Sequence, residues 1–219
     1  MPIIHSRPIT VPTPPKIEDL YVVFDLDDTL WPQLTRAFRN TPYSIDMMDT
    51  FSITENKAFS TEDAIKILKL FEDPANFTDI EFYPAVRKIE FLHNLGVRID
   101  INTTSLSEAV AEVKLPQLRR AFPYLDEKSF ILTVKGHDRV ATGKQIDETV
   151  TFFVDDNPLN IVKSKAYIDL VPAQPYNCSP GEIRRMKKRH YYLMKNLDVI
   201  LDTILLSVKS WQFQHRRRS

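Results

Sequence analysis

The stretch Leu20-Tyr21-Val22-Val23-Phe24-Asp25-Leu26-Asp27-Asp28-Thr29-Leu30-Trp31 decides the fold. Leu20 to Phe24 run without a charged or small polar interruption, the pattern of a strand buried on both faces of a parallel sheet. Asp25 ends the run at the carboxyl edge of that strand, where open α/β sheets place their ligands. On an extended chain residues two apart point the same way, so Asp25 and Asp27 face one site. Two like charges buried together are costly unless positive charge joins them. A divalent cation is the simplest partner, and hard cations take oxygen ligands.

Downstream the chain keeps a helix–strand rhythm. Pro84 to Leu95 reads as a helix, with proline in its first turn and Gly96 after its end. Val86, Ile89, Leu92 and Leu95 give it an apolar stripe. Val97 to Thr104 reads as a second strand, and Ser105-Leu-Ser-Glu108 as a capping box opening the next helix. Phe130–Val134, Thr149–Val154 and Ala166–Val171 read as three further strands. The second of these runs straight into Asp155-Asp156. This alternation predicts an α/β fold, a Rossmann-like doubly wound parallel sheet.

Three more groups stand at strand ends: Thr103 after the second strand, Lys135 after the third, and Asp155-Asp156 after the fourth. With Phe24-Asp-Leu-Asp-Asp-Thr-Leu-Trp-Pro32 they form an ordered set that resembles the motifs of the haloacid dehalogenase superfamily. Within it the chain is most similar to the magnesium-dependent phosphatase group, over about residues 20–170 without the 32–80 insert. The resemblance implies a phosphoric monoester hydrolase. Asp25 is then the nucleophile that forms an aspartyl-phosphate, and Asp27 the general acid/base. Thr103, or Thr104 beside it, would hold a phosphoryl oxygen. Lys135, or Lys144 as the alternative, would supply fixed positive charge. Mg²⁺ would be held by Asp25, the backbone carbonyl of Asp27, and Asp156 with Asp155. Asp28 departs from the pattern, standing where that group has Tyr. Val154-Asp-Asp-Asn-Pro158 is closer to phosphatases acting on phosphoserine in flexible tails, so the implied substrate is a small phosphorylated molecule or a phosphoprotein. The main competing reading is a binding or scaffold protein built on the same fold without catalysis.

The expected organisation is a flexible Pro-rich arm over residues 1–16, a catalytic domain over 17–178, and a basic C-terminal helix and tail over 179–219. Within the domain, residues 32–80 form a flap or small cap carrying one short helix from Ser60, with Asp63 completing its cap. Net charge is zero, yet ten Lys and Arg against three acids from residue 181 onward give that segment +7 and leave −7 on the rest. Such a segment is a place for a polyanion or a nucleic-acid partner. The single cysteine, Cys178, excludes an internal disulfide and a cysteine metal cluster, and fits a reducing compartment, cytoplasm or nucleus. No apolar run approaches the roughly 20 residues of a membrane helix. The five histidines are scattered, with no pair at metal-ligand spacing. Oligomeric state is not legible.

Overall fold

A computed structural model describes residues 3–134, 144–187 and 191–217. Seven strands form one all-parallel sheet: β1 (Ile4–His5), β2 (Tyr21–Phe24), β3 (Arg98–Ser105), β4 (Phe130–Val134), β5 (Phe152–Val154), β6 (Ile168–Pro172) and β7 (Tyr191–Met194). Their spatial order is β1-β7-β6-β5-β2-β3-β4. From β2 the chain builds outward through β3 and β4, then returns to the other side of β2 and builds outward again through β5, β6 and β7. The point where it reverses lies between β2 and β5, which is where doubly wound sheets open a crevice at their carboxyl ends.

Alternation along each strand divides the core. Val22, Phe24, Ile99, Ile101, Phe152 and Leu170 pack with α3 (Lys88–Asn94), α4 (Glu108–Ala121) and α7 (Leu197–Arg216). Tyr21, Val23, Phe153 and Val171 pack with α5 (Pro158–Lys163) and α6 (Pro180–Met186). Both faces of the sheet are covered, which is why its strands read as apolar runs.

Residues 32–80 contain α1 (Gln33–Phe38) as well as the expected helix, α2 (Thr61–Leu70). Ser60 and Asp63 complete the capping box of α2. Leu34, Phe38, Met48, Ile53, Phe59 and Ile67 give the insert a core of its own, joined by Tyr176 from the body. Thr50 Oγ1 donates to Glu182 Oε1 at 2.7 Å, fastening the insert to α6.

Two expectations about the ends of the chain are corrected. The first residues are not a free arm: Ile4–His5 pair in parallel with Leu193–Met194. Val11 lies in the main core, and Ile9 N donates to Thr203 Oγ1. Apolar Ile9 and Val11 anchor a segment that proline keeps extended, while Ile4 is held through its backbone. The segment after residue 179 is not one helix either. It is α6, then β7, then α7, whose start is capped by Asn196 accepting from Val199 N. Tyr191 and Tyr192 carry the strand preference, and the apolar residues on either side happened to continue a helical spacing. Among the described residues no helix is long and apolar enough to cross a membrane.

Candidate active site

Asp25 follows β2 and Asp155 follows β5, and these strands pair with Phe24 opposite Val154. Asp25 N donates to Val154 O at 2.8 Å, so the ladder carries both carboxylates to the same edge of the crevice. Asp25, Asp155 and Asp156 are all buried, and an oxygen of each lies within 4.8 Å of the others. Lys144, also buried, donates to Asp25 and, at 2.9 Å, to Asp155 Oδ2.

Each carboxylate is fixed by neighbours. Asp155 accepts from Asn160 Nδ2 at 2.9 Å and from Asn157 N at 2.8 Å. Asp156 accepts from Thr29 Oγ1 at 3.2 Å and Tyr176 OH at 2.5 Å, while Asn177 Nδ2 donates to its backbone carbonyl. Asp28 sits at φ 56°, in the left-handed region that aspartate tolerates better than most residues, and caps the entry to α1 by accepting from Leu34 N.

Burial pushes the Asp25 carboxyl up to about 7, with Lys144 pulling it down and Asp155 and Asp27 adding to the rise. Burial, then Asp25 and Asp155, hold Asp156 well above the usual carboxylate range. Asp28 is raised as well, by burial first, against the hydrogen bond from Leu34. Burial opposes the Lys144 charge, but Asp155 and Asp25 more than offset it and raise that ammonium above the ordinary lysine value.

Asp27 stands apart from this cluster and has its own partners. Lys114 Nζ donates to its Oδ2 at 2.6 Å, Thr103 Oγ1 to the same oxygen at 3.3 Å, and Trp31 Nε1 to its Oδ1 at 2.9 Å. Lys114 is almost fully buried, lies over the Phe77 ring and also donates to Thr104 O. It comes from α4, away from every strand end, and no spacing in the sequence marks it. Trp31, also buried, packs on Phe77 and holds Asp27.

The structure brings together Asp25, Asp155, Asp156 and Lys144, and places Asp27 apart from them on the same cavity. Lys135 lies outside the described residues, and Lys144, the alternative, stands at the carboxylates. Thr103 is turned to Asp27, whereas Thr104 and Ser105 line the cavity. Ser105 was expected to cap a helix. Instead Ser107 caps α4, accepting from Val110 N, and Ser105 is the last residue of β3. Among the described residues its buried hydroxyl has no hydrogen-bond partner.

The cavity has a volume of about 470 Å³, within the usual range for small-molecule sites. Its floor is the acidic strand ends, and the insert supplies Met48, Phe51, Ile53, Leu68 and Phe71 to its walls. The donor set fits a hard divalent cation. Three carboxylates and one ammonium leave two negative charges buried together, and the raised Asp25 and Asp156 mark the unmet demand for a cation. No protein-family model matches the chain, and no curated protein matches it.

Proposed function

We propose that this protein hydrolyses phosphoric monoesters with a divalent cation, Mg²⁺ best matching the all-oxygen donors, through an acyl phosphate of Asp25 of the haloacid dehalogenase kind. The observation that carries the reading is the convergence of Asp25, Asp155 and Asp156 at the switch point, under a cavity, with Asp27 beside them. Asp25, Asp155 and Asp156 would hold the cation, which supplies charge compensation for the phosphoryl oxygens. Lys144 adds fixed positive charge, and Ser105 and Thr104 offer hydroxyls.

In the first step an Asp25 oxygen bonds to phosphorus as the bond from phosphorus to the ester oxygen breaks, and Asp27 gives that oxygen a proton. In the second, water adds to phosphorus, the bond to Asp25 breaks, and Asp27 takes the water's proton. The products are the free alcohol and inorganic phosphate, and both side chains return to their starting state. Lys114, Thr103 and Trp31 keep Asp27 pointed at the reacting oxygen, since positioning is most of phosphoryl-transfer catalysis.

The test is phosphate release from phenyl phosphate with Mg²⁺ and with EDTA, on the wild type and on Asp25→Asn. Release that needs Mg²⁺ and disappears in Asp25→Asn while the protein stays folded is expected. Wild-type turnover by Asp25→Asn would overturn the mechanism.

A further inference from the structure

The insert does more than cover the site. Met48, Phe51, Ile53, Leu68, Phe71 and Phe77 face the same cavity as the acidic cluster. These residues come from the turns and loop ahead of α2, from α2 and its end, and from the segment leading back to the body, and most belong to or pack on the insert's own core. A loop that only shielded the site from water would have no need of three phenylalanines on its inner side. Buried apolar lining with a few convergent polar groups is how proteins hold an uncharged organic group.

The charges along the wall limit the ligand further. Among the described residues the lining contains no arginine and no histidine. Its two lysines are already committed, Lys144 to Asp25 and Asp155, Lys114 to Asp27. Four carboxylates, Asp25, Asp27, Asp28 and Asp156, look into the cavity. A second phosphate or a carboxylate on the substrate would meet them with no cation free among the described lining residues to pair it, an expensive arrangement at low dielectric. The polar groups the insert offers, Gln33, Ser52 and Thr54, are too few to satisfy the ring of hydroxyls on a sugar.

The leaving group is constrained from the other side. Asp27 accepts from Lys114, Thr103 and Trp31, using both of its oxygens. A protonated carboxyl must donate from one oxygen, which displaces one of these donors. An ester whose oxygen departs readily asks least of Asp27 in the first step.

We infer that the substrate is a small, free phosphomonoester of an uncharged aromatic alcohol, its ring held by Phe51, Phe71 and their apolar neighbours and its single phosphate on the acidic floor. This rests on the phosphatase reading above. The carboxylates of the lining disfavour polyanions, acidic phosphorylated segments among them, and its apolar walls disfavour sugar phosphates.

Two measurements separate this inference from the reading beneath it. The first compares kcat/KM with Mg²⁺ for phenyl phosphate, 1-naphthyl phosphate, glycerol phosphate, a hexose 6-phosphate and an acidic phosphotyrosine peptide. The two free aryl esters should exceed each of the others by about tenfold or more, the scale on which apolar pockets discriminate. Phe71→Ser should reduce the ratio of phenyl to glycerol phosphate by about tenfold, and Phe71→Leu should keep most of it. Hydrolysis with no aryl preference, or a preference for the sugar or the peptide, overturns the substrate class and leaves the phosphatase standing. The second measures binding of phenylphosphonate and methylphosphonate by calorimetry with Mg²⁺. If no ester is hydrolysed the phosphatase reading fails, and tighter binding of phenylphosphonate still supports the aryl pocket. Equal binding of the two phosphonates overturns it.

Discussion

Lys144 and Lys114 reach one cavity from different elements, Lys144 from the loop ahead of β5 and Lys114 from within α4. Both ammonium groups are buried and both meet aspartates. Their surroundings differ. Lys144 is shared by two carboxylates of a cluster whose third member, Asp156, has only hydroxyls on its side chain among the described residues. Lys114 serves a single carboxylate, Asp27, that also has an indole and a hydroxyl donor and is partly exposed. Lys144 is therefore tied to the charge balance of the carboxylate cluster that could hold a cation, and Lys114 to the orientation of Asp27. The lesson is that two buried ion pairs a short way apart carry different functional weight, according to how much charge each leaves unmet.

Four substitutions and a titration would break or sharpen that contrast. Lys144→Met should have the largest effect. In metal-free protein near pH 8 it should cost about 3–5 kcal/mol of stability, as expected when a buried charge loses its partner. Mg²⁺ should restore part of the loss, and denaturant unfolding with and without the ion reads both. An unchanged midpoint would show that Lys144 does not neutralise the cluster. Next, Asp156→Ala should remove most of the Mg²⁺ stabilisation, because this carboxylate has no ammonium partner among the described residues. Asp155→Ala should instead lower stability chiefly by leaving Asn160 and Asn157 without this acceptor and Lys144 with Asp25 alone, and melting curves across a Mg²⁺ series separate the two.

Lys114→Met should leave the Mg²⁺ response intact and lower kcat by about tenfold to a hundredfold, the scale of a misplaced acid/base. One limb of the pH–rate profile should move with it, and rates of equal pH dependence in the two proteins would return Lys114 to packing. The smallest expected effect is in the pH dependence of the wild type. A carboxyl raised to about 7 in the folded state binds its proton more tightly than in the unfolded chain. The stability it contributes is present below the unfolded value near 4 and is lost as pH rises through 7. Metal-free protein should therefore melt lower at about pH 8 than at about pH 6, and Mg²⁺ should narrow that gap. A gap that Mg²⁺ leaves unchanged would dissociate the titrating carboxyl from the cation site.

Much of this arrangement was legible in the chain. The apolar runs before Asp25 and Asp155 announced buried parallel strands, because a strand covered on both faces has no room for polar residues. Once two such strands lie side by side, the residues that end them are neighbours whatever the rest of the fold does. The cap of α2 could be read from Ser60 and Asp63 for the same local reason. The ends of the chain were harder. Ile4–His5 is too short to declare itself a strand and is one only because Leu193–Met194 offers an edge. The helical spacing across residues 183–208 concealed β7, since spacing cannot register an interruption that leaves its period intact.

By itself the sequence determined which residues end the central strands, and therefore that Asp25, Asp155 and Asp156 would meet, since strand pairing acts on local patterns of apolar residues. Only the tertiary structure decided what surrounds them. Lys114 reaches Asp27 because of how α4 is rotated against β3, Ser105 is left without a partner among the described residues because α4 begins two residues later than its capping residues implied, and three phenylalanines of the insert line the cavity with the carboxylates. Each of these depends on packing between elements distant in the chain, and side-chain direction in a packed interface is set by both partners rather than by either sequence alone.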